Sequence, residues 1–224
     1  MNTFTIAIDG PASSGKSTIA KLVAQKLNIT YIDTGAMYRG VTLAVLRAGI
    51  DVTDEEKILA LLPALRLNFR LIEEVQYLYL DDEDISESIR SVEVTENVSA
   101  VSAIEGVRQH LVTTQQAIAA EQPVVMDGRD IGTVVLKDSP YKFFFVASPK
   151  VRAQRRYKEN MAKGLTSQTL AEIEQAIIER DRLDSTRIHS PLKKADDAIE
   201  LDTGEMTIDE VVNRVISEVK NSQA

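Results

Sequence analysis

Apolar and polar positions alternate between two rhythms along this chain, and the rhythm sets the elements. "FTIAID" (Phe4 to Asp9) is a near-continuous apolar run and reads as a buried strand. In "KSTIAKLVAQKL", Ile19, Val23 and Leu27 recur at i, i+4 and i+8, one stripe of a helix. "TYID" is a short second strand. "GAMYRGVTLAVLRAG" follows as a helix with Met37, Val41, Ala44, Val45 and Ala48 on one face and Gly49 at its C-terminal cap. Thr53 and Glu56 are spaced as a capping box for a short helix that stops at Pro63.

The period then changes to two. "LRLNFRL" (Leu65 to Leu71) and "VQYLYL" (Val75 to Leu80), joined by a Glu-containing turn, read as an antiparallel hairpin. Helical spacing resumes with Val94, Val98 and Val101, then Val107, Leu111, Thr114 and Ile118. "PVVMD" (Pro123 to Asp127) and "YKFFFVA" (Tyr141 to Ala147) are strands apolar on both faces. Ser148 and Pro149 open a basic helix that "KGLTSQ" breaks. A longer helix runs from about Gln168 through Ile173 and Ile177 toward Asp184. "DAIELD" is the last strand, and Thr207 with Glu210 caps a final helix facing inward at Ile208, Val211, Val215 and Val219. Strands alternating with helices imply α/β with a parallel sheet. The organisation expected is a core of residues 1–62, 91–148 and 167–224, a β-rich insert at 63–90 and a mobile lid at 149–166.

Composition narrows the classes. The chain has 224 residues, 44% hydrophobic and 27% charged, an ordinary globular balance for one large domain with insertions. There is no cysteine, hence no disulfide, thiolate metal site or thiol nucleophile. The start, "MNTFTIAIDG", lacks the basic and apolar regions of a signal peptide, and no stretch of about 18 apolar residues exists to span a membrane. A reducing cytoplasm is the expected setting. A net charge of −8 argues against binding a nucleic-acid polymer, while a single nucleotide needs only a local positive pocket.

"GPASSGKS" matches G-x-x-x-x-G-K-[ST] and stands between a strand and a helix, the context that phosphate binding requires. Its glycines let successive N–H groups converge on phosphate oxygens, and the helix N-terminus adds positive charge. Gly10, Pro11, Ala12, Ser13, Ser14, Gly15, Lys16, Ser17 and Thr18 are the expected ATP contacts, with Lys16 reaching the β- and γ-phosphates and the Ser17 hydroxyl ligating Mg²⁺. No guanine-reading N/T-K-x-D is present, and the strand ending "VVMDGRD" carries no Asp-Glu pair of the motor ATPases. A kinase with a second small substrate remains. Arginines stand where strands end: Arg39 after "DTGAMYR", Arg129 in "DGRD", and Arg152 and Arg156 at i, i+4 on the basic helix, where a lid facing ATP would carry them. Phosphoryl transfer needs positioning and charge neutralisation rather than a nucleophile set, so neither His110 nor His189 is required. In "ERDRLDSTR", Arg180, Asp184 and Arg187 continue the inward stripe of Ile173 and Ile177, while Asp181 and Arg182 point elsewhere and read as the solvated face.

Together "IDGPASSGKS", "DTGAMYR", "DGRDIGT" and "ERDRLDSTR" resemble bacterial cytidylate kinases, from about Phe4 to past Asp202. The resemblance implies a P-loop nucleoside monophosphate kinase fold: a five-stranded parallel sheet flanked by helices on both faces, a β-rich monophosphate-binding insert and a lid. It implies Mg²⁺-dependent transfer from ATP to CMP or dCMP by a monomer. Thr34, Ser99, Arg108 and Asp130 are implied around the pyrimidine; Arg39, Arg129 and Arg187 at the acceptor phosphate; Arg180 and Asp184 at the pentose. Lys16, Arg129, Arg180 and Arg187 are the expected catalytic set. Ser99 and Arg108 read as plain helix surface from the pattern alone. The rival readings are a kinase of the same fold for UMP, shikimate or dephospho-coenzyme A, and a non-catalytic ATP-binding switch.

Overall fold

In the computed structural model, which describes residues 4–73, 75–162, 164 and 168–221, the chain divides into two compact units. One is built from the residues before Ile32 and after Ile118, the other from Ile32–Ile118.

The first unit is organised by β1 (Thr5–Asp9), whose five residues are all buried. Short apolar strands of this kind need cover on both faces, and helices supply it. β1 lies in the middle of a five-stranded parallel sheet ordered β2 (Thr30–Asp33), β6 (Val124–Gly128), β1, β7 (Tyr141–Val146), β8 (Ile199–Asp202). Registers of Thr5 with Val124 and Ile6 with Tyr141 bring Asp9, Gly128 and Phe144 to one edge. α1 (Lys16–Leu27) and α8 (Ile208–Asn221) bury Ile19, Val23, Val211, Val215 and Val219 against Ile6, Ile8, Phe143 and Phe145. Thr207 and Glu210 do form the capping box of α8. Ile208, expected inward, is 53% exposed at the first helical position, and Val212 is buried instead.

α6 (Pro149–Ala162) and α7 (Leu170–Thr186) form a helical pair with its own small core of Ala153, Ile173 and Ile177. The Ser148 hydroxyl accepts from the Val151 N–H, and Thr169 with Glu172 caps α7 as a full capping box. Of the segment expected to break the basic helix and end the lid, positions 163 and 165–167 lie outside the described residues.

The second unit carries α2 (Thr34–Arg47), α3 (Glu55–Leu61), α4 (Val92–Ala103), α5 (Glu105–Glu121) and an antiparallel sheet of β3 (Leu67–Ile72), β4 (Val75–Leu80) and β5 (Glu83–Asp84). The expected hairpin is present, with Leu67 opposite Leu80; the two-residue β5 adds a third strand too short to leave a periodic trace. Leu78, Ile85 and Ile89 pack on Ala36 and Leu43 of α2. Two local expectations are corrected. Asp54, not Thr53, caps α3, because Asp51 already takes the Thr53 N–H (2.8 Å) and hydroxyl (2.7 Å). α2 ends at Arg47 with the left-handed Gly49 (φ 66°) beyond it, so Ala48 falls outside the helix and is exposed.

Candidate active site

The loop from Gly10 to Ser17 curls as its motif requires. Ser13 (φ 60°) and Gly15 (φ 90°) are left-handed, and a Cβ at Gly10 (φ 149°) would run into the Phe145 carbonyl oxygen. α1 starts behind the loop with no side-chain cap, leaving its first N–H groups turned toward the loop. The buried Lys16 ammonium donates to the Pro11 carbonyl (2.6 Å) and the Ser14 hydroxyl (3.3 Å). Burial first, then Arg129, pulls the Lys16 amine down to about 7, against the pull of Asp127 and Asp9. Lys16 thus stands within electrostatic reach of Arg129 and Arg180, which the sequence had placed on the acceptor side.

Asp127, the penultimate residue of β6, gathers the next groups. It accepts from the Ser17 hydroxyl (2.9 Å) through Oδ2 and from the Tyr31 hydroxyl (2.8 Å) through Oδ1. Two residues on, Arg129 donates from Nε to Asp184 Oδ2 (2.8 Å). Burial works against the Arg129 charge, but Asp184, Asp127 and Asp181 outweigh it and hold the guanidinium above its usual value. Asp184 is the mirror case: Arg129, Arg180 and Arg187 overcome burial and keep its carboxyl below the ordinary range. Arg187 approaches Asp130 (3.8 Å) and Asp184 (3.9 Å), and its Nε donates to the Ser190 carbonyl (2.6 Å).

The helical count for "ERDRLDSTR" is right in direction but stops early. α7 ends at Thr186, and Arg187 is its extended C-cap (ψ 145°), so Arg187 turns inward by leaving the helix rather than by its phase. Asp181 is corrected: it is not on the solvated face. Its Oδ2 accepts from Arg152 at 2.6 Å, whereas Arg182 is exposed and pairs with Glu179.

The basic helix is tied to the phosphate loop. Arg152, only 3% exposed, donates Nη1 to the Ala12 carbonyl (3.1 Å), Nε to the Ala147 carbonyl (2.9 Å) and Nη2 to Asp181. Arg156 donates Nε to the Ser13 hydroxyl (3.0 Å). Arg155 bonds Thr203, whose hydroxyl reaches the Ser14 carbonyl (2.8 Å). Burial and then Arg129 hold the Arg156 guanidinium below its ordinary value, crowding that an arriving polyanion would relieve.

In the second unit, Thr34 is buried at the start of α2, where Asp33 caps the helix by accepting from the Ala36 N–H (2.9 Å). Arg39 donates to the Ile89 carbonyl (3.1 Å) and the Thr95 hydroxyl (2.9 Å). Arg108 is corrected from helix surface to interior: it is 3% exposed, donates to the Ser102 carbonyl (3.0 Å) and lies over the Tyr38 ring at 5.0 Å. Its spacing from buried Leu111 and Gln115, i, i+3 and i+7, was the available signal. Ser99 is half-buried on α4, near the surface as expected.

A sequence profile of the cytidylate kinase family matches residues 6–221. The chain belongs to that family. It is 51% identical over 218 residues to a cytidylate kinase of Limosilactobacillus reuteri (strain DSM 20016), covering 97% of this chain and 96% of that one. It is 54% identical over 212 residues to a cytidylate kinase of Listeria monocytogenes serovar 1/2a, covering 95% and 94%. Among solved structures, an uncharacterised protein of Eubacterium ventriosum shares the fold at a TM-score of 0.55 and 13% identity, over 98% of this chain and 99% of that one. A gluconokinase of Sinorhizobium meliloti does so at 0.50 and 15%, over 98% and 93%. These two speak for the fold alone. What the residue pattern left out is mostly carboxylate: Asp9 ends a strand that reads as apolar, and Asp181 lies on a helix face that reads as solvated. Among the described residues no helix is long and apolar enough to cross a membrane.

Proposed function

We infer that the chain transfers the γ-phosphoryl group of ATP to CMP or dCMP, giving ADP and CDP or dCDP. The observation that carries this is the family match across residues 6–221. It is supported by one phosphate loop whose Lys16 shares electrostatics with Arg129 and Arg180. In our reading Gly10 to Thr18 hold the triphosphate, with Lys16 on its β- and γ-oxygens, and Arg156 grips the phosphates from α6. Arg129, Arg180 and Arg187 neutralise the acceptor phosphate and the charge that develops in transfer, with Asp184 and Asp130 holding those arginines in place and reaching the pentose and the pyrimidine. Thr34, Arg39, Ser99 and Arg108 serve the acceptor nucleotide in the second unit. An acceptor phosphate oxygen attacks the γ-phosphorus as the bond to the ADP oxygen breaks; positioning and charge stabilisation do the rest.

Mg²⁺ fits this site. The Ser17 hydroxyl and Asp127 carboxylate meet at 2.9 Å, two hard oxygen ligands at the mouth of the loop. Among the described residues no cluster of three His or acidic groups could hold a metal. The ion would therefore rest on Ser17, Asp127, water and phosphate, the coordination Mg²⁺ favours. When bound it supplies further neutralisation of phosphate charge. We further propose that residues 63–90 act as a monophosphate-binding insert and 149–166 as a lid. In the same reading the protein works as a cytoplasmic monomer on free nucleotides and apart from membranes, and its net charge of −8 speaks against nucleic-acid polymers as partners. A coupled ADP-release assay across monophosphates tests the reading. Release is expected with CMP and dCMP and not with AMP or GMP. Turnover that stays flat on adding every monophosphate, or that prefers another acceptor, overturns it.

A further inference from the structure

Asp9 is a buried carboxylate to which the reaction described above gives no task. It closes β1, directly before the first glycine of the phosphate loop, and is 4% exposed. Its two oxygens are both engaged by one short turn: Oδ1 accepts the Ile131 N–H at 2.8 Å and Oδ2 the Gly132 N–H at 2.7 Å. That turn, Ile131–Val135, follows immediately on Arg129 and Asp130. The approach depends on Gly132. A Cβ there would stand 3.3 Å from Asp9 Oδ2 and 3.3 Å from the Lys142 side chain, with little room on either side.

A carboxylate in water costs nothing to keep; a buried one must be matched by donors. Ladder pairing already joins β1 to β6, so the sheet does not need Asp9 for its register. What the carboxylate adds lies beyond the strand ends. There the two chains diverge, one into the phosphate loop and the other into the arginine-bearing turn. Two charge-assisted bonds from one side chain to adjacent N–H groups fix both position and orientation. Lys16 lies within electrostatic reach of Asp9.

We propose that Asp9 is a positioning residue for phosphoryl transfer, a clamp holding the phosphate loop and the Arg129–Asp130 turn at one fixed separation. The inference rests on the kinase reading above. It does not make Asp9 a ligand of either nucleotide. Its loss loosens alignment, and a misplacement of about 1 Å costs on the order of a hundredfold in rate.

The test uses Asp9→Asn, Asp9→Ala and Gly132→Ala in the full chain, with kcat, KM for CMP, and the Kd of a non-hydrolysable ATP analogue measured directly. Asn keeps one acceptor and sets an N–H₂ against the other N–H; Ala keeps none. Kcat is expected to fall roughly tenfold in Asp9→Asn and on the order of a hundredfold in Asp9→Ala. The analogue Kd should change less than about threefold, since the loop's own N–H groups are intact. Gly132→Ala presses on the same clamp from the turn, leaves the carboxylate in place, and should also lower kcat selectively. Combined with Asp9→Asn, its effect should be less than multiplicative. Wild-type kcat in a folded Asp9→Asn protein overturns the proposal, as does a loss of analogue affinity that matches the loss of rate. If the Asp9 variants do not fold, Gly132→Ala decides: normal kcat there overturns it. Wild-type protein that releases no ADP with CMP overturns the kinase reading instead, so the two failures are told apart.

Discussion

Arg152 and Arg156 stand one helical turn apart and carry the same charge, yet the structure gives them opposite prospects. In Arg152 each guanidinium nitrogen is committed to a protein oxygen, on Ala12, Ala147 and Asp181. Arg152→Met keeps most of the stem's volume and removes all three bonds. Removing one member of a buried ion pair costs about 3–5 kcal/mol. Asp181 is 22% exposed on its side chain, so water recovers part of that and the low end, about 3 kcal/mol, is the expected loss. For a chain of this length about 1 kcal/mol moves Tm by roughly 2–4 °C, so the nucleotide-free variant should melt about 6–12 °C lower. Arg156 is half-buried and bonds the Ser13 hydroxyl, a group that water replaces readily. Arg156→Met should lower Tm by under about 4 °C but weaken an ATP analogue roughly tenfold or more, the worth of a charge-assisted bond to phosphate. Differential scanning calorimetry without nucleotide, paired with calorimetric titration of the analogue, reads both. The reverse pattern, a stable Arg152→Met protein that has lost ATP and an unstable Arg156→Met protein that has kept it, would falsify the assignment.

Arg129→Ala should lower kcat by at least about a hundredfold while the analogue Kd stays within a few-fold, because Arg129 bonds Asp184 and the Gly128 carbonyl and makes no hydrogen bond to the loop; full turnover would remove it from the reaction. Stability should vary with pH in a definite sense. Burial pushes the Asp9 carboxyl up to about 7, so between about pH 4 and 7 the folded state holds a proton that the unfolded state has lost, and stability falls as pH rises. Lys16, pulled down to about 7, acts oppositely above neutrality: the unfolded chain holds the extra proton up to about pH 10, and stability rises again. Denaturant titrations of nucleotide-free protein should show a minimum contribution near neutral pH, with the acid limb flattened in Asp9→Asn; an unchanged limb contradicts the Asp9 shift. Gly10→Ala should prevent normal folding, since its methyl meets backbone at Phe145, whereas Gly106→Ala meets only the end of the Leu59 side chain and should cost at most about 1–2 kcal/mol. Comparable soluble yields and melting points for the two would contradict this.

Much of this arrangement was legible because its causes are local. A glycine-framed loop between an apolar strand and an amphipathic helix leaves little freedom for Lys16, and strand–helix alternation leaves little for the sheet. The hairpin showed in its period. What escaped depends on neighbours distant in sequence. Arg108 looks solvated until Tyr38 supplies its covering ring, 70 positions away in the chain. Asp181 looks solvated until Arg152 reaches it across the α6–α7 pair. Asp54 displaced Thr53 as a cap because Asp51, two residues earlier, had already taken both Thr53 donors. Composition alone places a charged residue at the surface, whereas its burial depends on which distant groups neutralise it.

The division of the chain also has a consequence for its synthesis. Ile32–Ile118 is one continuous stretch, but the unit around it is made of two pieces, and both sheet neighbours of β1 come from the second. As the chain leaves the ribosome, the inner unit is complete while "TIAID" still lacks either partner. For the time it takes to make more than a hundred residues, a strand with Ile6, Ala7 and Ile8 at its centre and an unpaired backbone must be kept from other chains. The strand at the centre of the finished sheet is thus made well before either of its neighbours, and conditions that slow elongation should lengthen its exposure.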